Sequence, residues 1–297
     1  MEGYHSSVLL DEVIDALGVK DAWYLDCTLG DGGHSLQIIE KGGKVVGIDV
    51  DPQALERVRK RFEQESIRKD KYRLVQGNFR DLKNLISSQA DTVDQIFAGA
   101  IFDLGVSSLQ LESTERGFSF MKEGPLDMRM DPTLGVRALD LITIGGRKEL
   151  YELFRNLGEE KYSKRLADAL VRAREIGKIQ TTKDLADLAE RIIGRSGKIH
   201  PATKVFQALR IAVNDELEAL KEGLEKTKDL IQKDSCIVVI SFHSLEDRIV
   251  KVTFREWEDK RIGEVLTKKP IVPSQDEVEE NPRSRSAKMR IFRVFGE

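Results

Sequence analysis

The segment Leu25-Asp26-Cys27-Thr28-Leu29-Gly30-Asp31-Gly32-Gly33-His34 constrains this chain more than any other. An apolar run, Ala22 to Leu25, leads into an acid and a glycine cluster. An amphipathic stretch, Ser35 to Glu40, follows, and a second apolar run, Val45 to Ile48, ends in Asp49. The pattern predicts strand, glycine turn, helix, strand, acid. That is the opening unit of a doubly wound α/β domain, whose nucleotide-like ligand sits at the carboxyl ends of the strands. The turn is not the dinucleotide fingerprint G-x-G-x-x-G, in which bare backbone amides at a helix start hold a pyrophosphate. Here Gly30-Asp31-Gly32-Gly33 offers close backbone approach, and Asp26 and Asp31 add acceptors, which suits a ligand carrying positive charge. The competing reading is an ordinary tight turn between strand and helix.

Asp49 and Asp51 divide by position. Asp51-Pro52 has the form of a helix N-cap followed by a first-turn proline, heading a helix over Ala54 to Glu65. Asp49 ends its strand about twenty residues after the first acid, where a carboxylate accepts hydrogen bonds from the hydroxyls of an adenosine ribose. Arg73 to Gln76 reads as a third strand followed by Gly77-Asn78-Phe79, with Asp81 as the next helix cap. Asn78 and Phe79 either bracket an adenine or, for Phe79, belong to the core. Gln95 to Phe102 reads as a fourth strand, running into Asp103-Leu104-Gly105-Val106-Ser107-Ser108 at the cleft. A short helix over Val8 to Leu17 precedes all of this and stops at Gly18.

The alternation of strand and helix then breaks. Leu111 to Pro132, rich in Gly, Pro, Met and charge, is expected to be an ordered loop covering the cleft. Helical periodicity follows at Lys148–Leu157, Lys161–Glu175 and Thr182–Ile193. Residues 106–213 are therefore expected to form an inserted, mostly helical subdomain, between the two halves, 1–105 and 214–297, of the α/β domain. From His200-Pro201-Ala202-Thr203 a single long helix is predicted, because Phe206, Leu209, Val213, Leu217, Leu220 and Leu224 step by three and four. Cys236 to Ile240 is a strong apolar strand that runs into Ser241-Phe242-His243-Ser244, with a helix over Ile249 to Trp257. Lys268 to Asn281 reads as a polar loop and Lys288 to Phe295 as a closing strand.

Composition narrows the class. At 297 residues with 40% hydrophobic content, the chain can bury a sizeable core in one or two domains. No run of about eighteen apolar residues predicts a membrane span. The start, Met1-Glu2-Gly3-Tyr4-His5, lacks the basic and apolar pattern of a secretion signal. Cys27 and Cys236 sit in apolar runs without a second ligand at metal spacing, so a reducing cytoplasm is expected, with neither disulfide nor metal. The histidines, His5, His34, His200 and His243, are likewise unpaired in sequence; each is a hydrogen-bonding residue or a substrate contact. Net charge is −3, yet residues 106–213 carry 19 Lys and Arg against 15 Asp and Glu. A basic middle in an acidic chain suits an anionic partner, or is a solvated helix face.

Seven strings share one likeness: His5-Ser6-Ser7-Val8-Leu9-Leu10; Gly30-Asp31-Gly32-Gly33-His34-Ser35; Asp103-Leu104-Gly105-Val106-Ser107-Ser108; Glu115-Arg116-Gly117-Phe118-Ser119-Phe120; Gly124-Pro125-Leu126-Asp127-Met128-Arg129-Met130-Asp131; His200-Pro201-Ala202-Thr203; and Ser241-Phe242-His243-Ser244-Leu245-Glu246-Asp247-Arg248. Through them the chain resembles, from His5 to its carboxyl end, the bacterial small-subunit (16S) ribosomal RNA (cytosine-N4)-methyltransferases, the MraW family. Asp31 stands where some members carry arginine. The resemblance implies a Rossmann-like class I methyltransferase fold and S-adenosylmethionine as methyl donor. It implies a cytosine in the decoding region of the small-subunit RNA, free or in the small ribosomal subunit, as acceptor. It places donor contacts on Gly32, Gly33 and His34 (methionine portion), Asp49 (ribose), Phe79 (adenine), Asp103 and Gln110.

Methyl transfer from a sulfonium is an in-line displacement that needs alignment above all. The exocyclic amine of cytosine is a poor nucleophile, and an acceptor for its hydrogens restores lone-pair character. The candidates are Asp103, Ser107 and Ser108, with His243 and the Phe118/Phe120 pair positioning or stacking the base. Two rival readings are a nicotinamide-dependent oxidoreductase, which the missing G-x-G-x-x-G disfavours, and a non-catalytic RNA-binding assembly factor, which the intact glycine and acid set disfavours.

Overall fold

The computed structural model describes residue 4 and residues 6–89, 96–177, 179–195 and 200–295. The chain divides into two compact units, one of residues 1–105 with 217–297 and one of residues 106–216.

The first unit opens with helix α1 (Leu10–Leu17), which ends at Gly18 in the left-handed conformation that a residue without Cβ adopts freely. Strand β1 (Trp23–Asp26), helix α2 (Gly33–Glu40), strand β2 (Lys44–Asp49) and helix α3 (Pro52–Gln64) follow the predicted order. Asp51 caps α3 by accepting the Gln53 amide at 3.0 Å, with Pro52 in the first turn. Strand β3 (Tyr72–Gln76), helix α4 (Leu82–Ser87) and strand β4 (Phe97–Asp103) complete this half. Residue 95, expected at the start of the fourth strand, lies outside the described residues, as does His5. Asp81 makes no side-chain cap. Asn78 instead caps the 3-10 turn Phe79–Asp81 that leads into α4, its Oδ1 accepting the Arg80 amide at 3.0 Å.

The second unit is built of helices α5 (Ser108–Glu112), α6 (Ala138–Ile144), α7 (Arg147–Asn156), α8 (Ser163–Glu175), α9 (Thr182–Ile193) and α10 (Ala202–Asn214), with no strand among its described residues. Helix α6 escaped the sequence reading because its seven residues are too few for a helical period to stand out. Thr181 caps α9 with Asp184 reciprocating, a capping box that fixes the helix start at the residue the sequence indicates. Phe118, Met128, Leu150, Phe154, Leu166, Leu170, Leu185, Leu209 and Val213 are among its buried core.

The long helix predicted from His200 onward is two helices. Helix α10 ends at Asn214 and helix α11 (Glu216–Thr227) begins after Asp215, which is left-handed with φ 50° and ψ 41°. The apolar period runs on across the break because one stripe serves two cores. Phe206, Leu209 and Val213 are buried in the helical unit, Leu220 and Leu224 in the α/β unit.

After α11 come strand β5 (Ile231–Ser241), helix α12 (Ser244–Asp259), strand β6 (Gly263–Val265), helix α13 (Gln275–Glu280) and strand β7 (Lys288–Val294). Both β6 and α13 fall where the sequence offered only polar loop or helix end. The sheet order is β3-β2-β1-β4-β5-β7-β6, with β7 antiparallel to both neighbours and the other pairings parallel. Its two faces bury separate sets of side chains, Trp23 and Leu25 on one side and Tyr24 on the other, as the two-residue period of a strand requires. Sequence order along the sheet reverses between β1 and β4, the switch point at which the carboxyl ends of parallel strands leave a crevice.

Candidate functional site

At that switch point the α/β unit gathers a polar cluster. Strand β1 delivers Asp26, which is 2% exposed. Its Oδ2 accepts the Ser35 hydroxyl at 2.6 Å and its Oδ1 the Thr28 amide at 3.2 Å. Burial raises the Asp26 carboxyl above its usual range, although Ser35, His34 and the Thr28 amide all favour its ionised form. Thr28 reaches across to β4, its Oγ1 accepting the backbone N–H of Asp103 at 2.6 Å. Thr28 and Ser35 escaped the sequence reading. Each works through a partner that only the folded sheet brings near, and an isolated hydroxyl carries no spacing signal.

The glycine turn is shaped by what a side chain would strike. Gly32 is the cap residue of α2 at φ 71°, and a Cβ there would lie 2.9 Å from both Cγ atoms of Val58. A Cβ on Gly33 would lie 2.0 Å from Ser7 Oγ. At both positions the space a Cβ would need is taken by the chain's own side chains, so glycine lets Val58 of α3 and Ser7 pack against the turn. Asp31 departs from expectation. Its carboxylate is bound by Arg57 at 3.0 Å and its carbonyl accepts Arg61 Nη1 at 2.7 Å, so it is spent on helix α3 rather than offered to a ligand.

His34, in the first turn of α2, is 5% exposed, and neither ring nitrogen has a hydrogen-bond partner. Its Nε2 lies 3.5 Å from Asp103 Oδ2, and Asp103 Oδ1 is a buried oxygen without a partner as well. Unsatisfied buried polar atoms are rare in folded chains and mark places where something else is bound or done. At the end of β2, Asp49 accepts the Gly30 amide on Oδ2 and the Asp51 amide on Oδ1, both at 2.9 Å. Burial, with Asp51 and Asp26 adding repulsion, pushes its carboxyl up to about 6 against the pull of those two amides. Each oxygen keeps a lone pair for a further donor. Asp49 and Asp51 thus separate as the sequence suggested, one as helix cap and one at the crevice.

The remaining candidates are more engaged in structure. Phe79 follows β3, half-buried, edge-on to Phe102 at 5.4 Å, with its ring against the bare Cα of Gly223. His243 caps α12, its Nδ1 accepting the Glu246 amide at 3.3 Å, while Glu246 Oε2 accepts the amides of Phe242 and His243. The same helix start anchors β7 through Asp247, which accepts Arg290 Nε at 2.7 Å. Burial works against the Asp247 charge, but Arg290 and Lys288 outweigh it and hold the carboxyl below its usual range.

In the helical unit, Ser107 caps α5, its hydroxyl accepting the Gln110 amide at 3.3 Å and the Gln110 side chain accepting the Ser107 amide at 3.1 Å. Ser108 opens that helix. Phe118, expected to stack on a base, is buried in the helical core and cannot do so. Phe120 stacks instead on His200, ring centroids 4.8 Å apart. The string Glu115 to Asp131 is knotted on itself. Arg116 donates to the carbonyls of Arg129 and Met130, Arg129 pairs with Asp127, and Asn214 grips Met130 N and Met128 O at 2.7 and 2.8 Å.

These strings match the profile of the MraW methylase family over residues 2–295. The chain belongs to that family. The chain is 45% identical over 293 residues to a protein named ribosomal RNA small subunit methyltransferase H from Persephonella marina, covering 97% of this chain and 98% of that one. Proteins of the same name from a Sulfurihydrogenibium species and from Clostridium botulinum are 44% and 41% identical, again over nearly the full length of both chains. The family is one of S-adenosylmethionine-dependent methylases, and the site fits such a donor. It offers an acid at the end of β2, Asp49, and buried unpartnered atoms on His34 and Asp103. Nicotinamide chemistry is set aside.

Proposed function

We propose that this chain methylates the exocyclic N4 amine of a cytosine in the decoding region of small-subunit ribosomal RNA. Family membership across residues 2–295 supports this reading most strongly. The curated relatives named above act, by their names, on small-subunit ribosomal RNA. In this reading residues 1–105 with 217–297 hold the donor, and residues 106–216, which carry the net basic stretch, receive the RNA; the setting is the cytoplasm.

S-adenosylmethionine supplies an electrophilic methyl group on a sulfonium. Gly32 and Gly33 admit its methionine portion beside His34, Asp49 accepts the ribose hydroxyls, Phe79 packs on the adenine, and Asp103 and Gln110 complete the set. Asp103, fixed through its amide by Thr28, is the acceptor for the amine hydrogens. Ser107 and Ser108, at the start of α5, and His243, at the start of α12, position the base. The base must leave its stack to be reached, as for other enzymes that act on base edges.

The test is transfer of labelled methyl from S-adenosylmethionine to isolated small subunits and to free small-subunit RNA, with digestion to nucleosides. N4-methylcytidine from one labelled position is the expected result. Label on another atom, or none on either substrate, overturns the reading, and the two substrates identify the accepted form.

A further inference from the structure

We propose that His34 is a positioning residue for the methyl-transfer step, acting through Asp103. The proposal rests on the function proposed above and adds a role to a residue placed there only beside the donor. Its basis is the geometry of the pair. His34 is 95% buried by its 5% exposure, too deep for its ring nitrogens to be satisfied by bulk water, yet both lack partners. Nε2 lies 3.5 Å from Asp103 Oδ2, while Asp103 Oδ1 is also buried and unpartnered. Asp103 cannot drift, because Thr28 holds its backbone amide at 2.6 Å. His34 cannot either, because it lies in the first turn of α2, next to Ser35, which is tied to Asp26 at 2.6 Å. Two groups fixed independently face each other at slightly more than hydrogen-bond distance. Such contacts commonly tighten when substrate fills the site.

With its proton on Nε2, His34 donates to Oδ2 and leaves Oδ1 free toward the acceptor. The acceptor nitrogen then gains the methyl carbon, the carbon–sulfur bond breaks with its electron pair left on sulfur, and one amine proton passes to Asp103 Oδ1. The carboxyl so formed is neutral and is discharged to solvent after product leaves. His34 neither gains nor loses a proton. It sets which carboxylate oxygen is available and where.

The test uses the full-length chain and four variants: His34→Leu, His34→Gln, Asp103→Asn and the double variant His34→Leu/Asp103→Asn. Single-turnover rate, S-adenosylhomocysteine affinity by calorimetry, and histidine ring nitrogen shifts by NMR are measured for each. His34→Leu is expected to lower the single-turnover rate at saturating donor about 10- to 100-fold, the scale of a misplaced catalytic group, beyond any loss of S-adenosylhomocysteine affinity that its place beside the donor brings. His34→Gln, whose amide can donate to Oδ2, recovers part of the loss. In the Asp103→Asn background His34→Leu costs nothing further, because the two act as one. A loss that is additive with Asp103→Asn, or that disappears at saturating donor, overturns the proposal. Should the wild-type chain methylate no RNA, the function proposed above fails on its own, and NMR still judges the pair. A His34 signal indifferent to Asp103→Asn, with the variant folded, refutes the coupling.

Discussion

Asp49 is held by two backbone amides yet raised to about 6 by burial, so its charge turns on within the physiological range. A ribose hydroxyl is held best by the ionised carboxylate. With Asp49 on the ribose as proposed, donor affinity is expected to be full above about pH 6 and to fall as pH drops through that value. Calorimetric titration with S-adenosylhomocysteine from pH 5 to 8 checks this, and Asp49→Asn should bind weakly and without that step. The sign for folding is opposite. The folded-state value lies above the ordinary 3.8, so this group's contribution to stability is complete below that value and is lost as pH rises through about 6. At the neighbouring turn, Gly32→Ala places a Cβ on a left-handed backbone, a cost of about 1–2 kcal/mol before the contact with Val58 is counted. A lowered melting temperature and weakened S-adenosylhomocysteine binding are expected together. These roles were readable in sequence to different degrees. Asp49 announced itself by position, because strand ends and acids at fixed spacing are a one-dimensional signal. Asp31 did not, since its partners Arg57 and Arg61 are a helix away and only α3 brings them to it.

Among elements, the loop from Glu115 to Asp131 depends on one side chain at the end of α10. Asn214 accepts the Met130 amide and donates to the carbonyls of Met128 and Arg210, and Met128 itself is left-handed at φ 63°. Asn214→Ala leaves at least the Met130 amide without its acceptor, which costs on the order of 1–3 kcal/mol where the group is shielded from water. Urea unfolding should show the loss. The string from Glu115 to Asp131 is thus tied into the helical unit by its own side chains and by Asn214. Helix α10 also shows how periodicity misleads. A stripe at three-and-four spacing states that each residue is buried but not in which core. The turn at Asp215 carries no glycine or proline to mark it. Helix α9, by contrast, appears where its capping box and period both place it, because both signals are local.

For the whole molecule, the net basic charge of residues 106–213 resides partly on exposed cations of the helical unit. Arg172 and Arg191 line a groove of about 490 Å³ along α8 and α9 together with Asp184 and Asp187, so its charge is balanced rather than basic. If this unit receives the RNA, Arg172→Glu and Arg191→Glu should each weaken RNA binding and reduce its salt dependence by roughly one counterion per arginine that meets a phosphate, leaving S-adenosylhomocysteine affinity unchanged. Filter binding from low to moderate salt decides it. An unchanged slope would place the phosphate contacts elsewhere.

By itself the sequence determined the order of the elements through β4, the glycine turn, the cap at Asp51 and the strand end at Asp49, and, through its strings, the family. All of these are written in local spacing, where backbone preference and the period of burial act over a few residues. Tertiary structure alone decided that one apolar stripe divides between two cores, that β7 inserts antiparallel between β5 and β6, that Phe118 is core, and that His34 meets Asp103. Each depends on which surfaces meet, and residues sixty-nine positions apart carry no mark of one another until the sheet sets β1 beside β4.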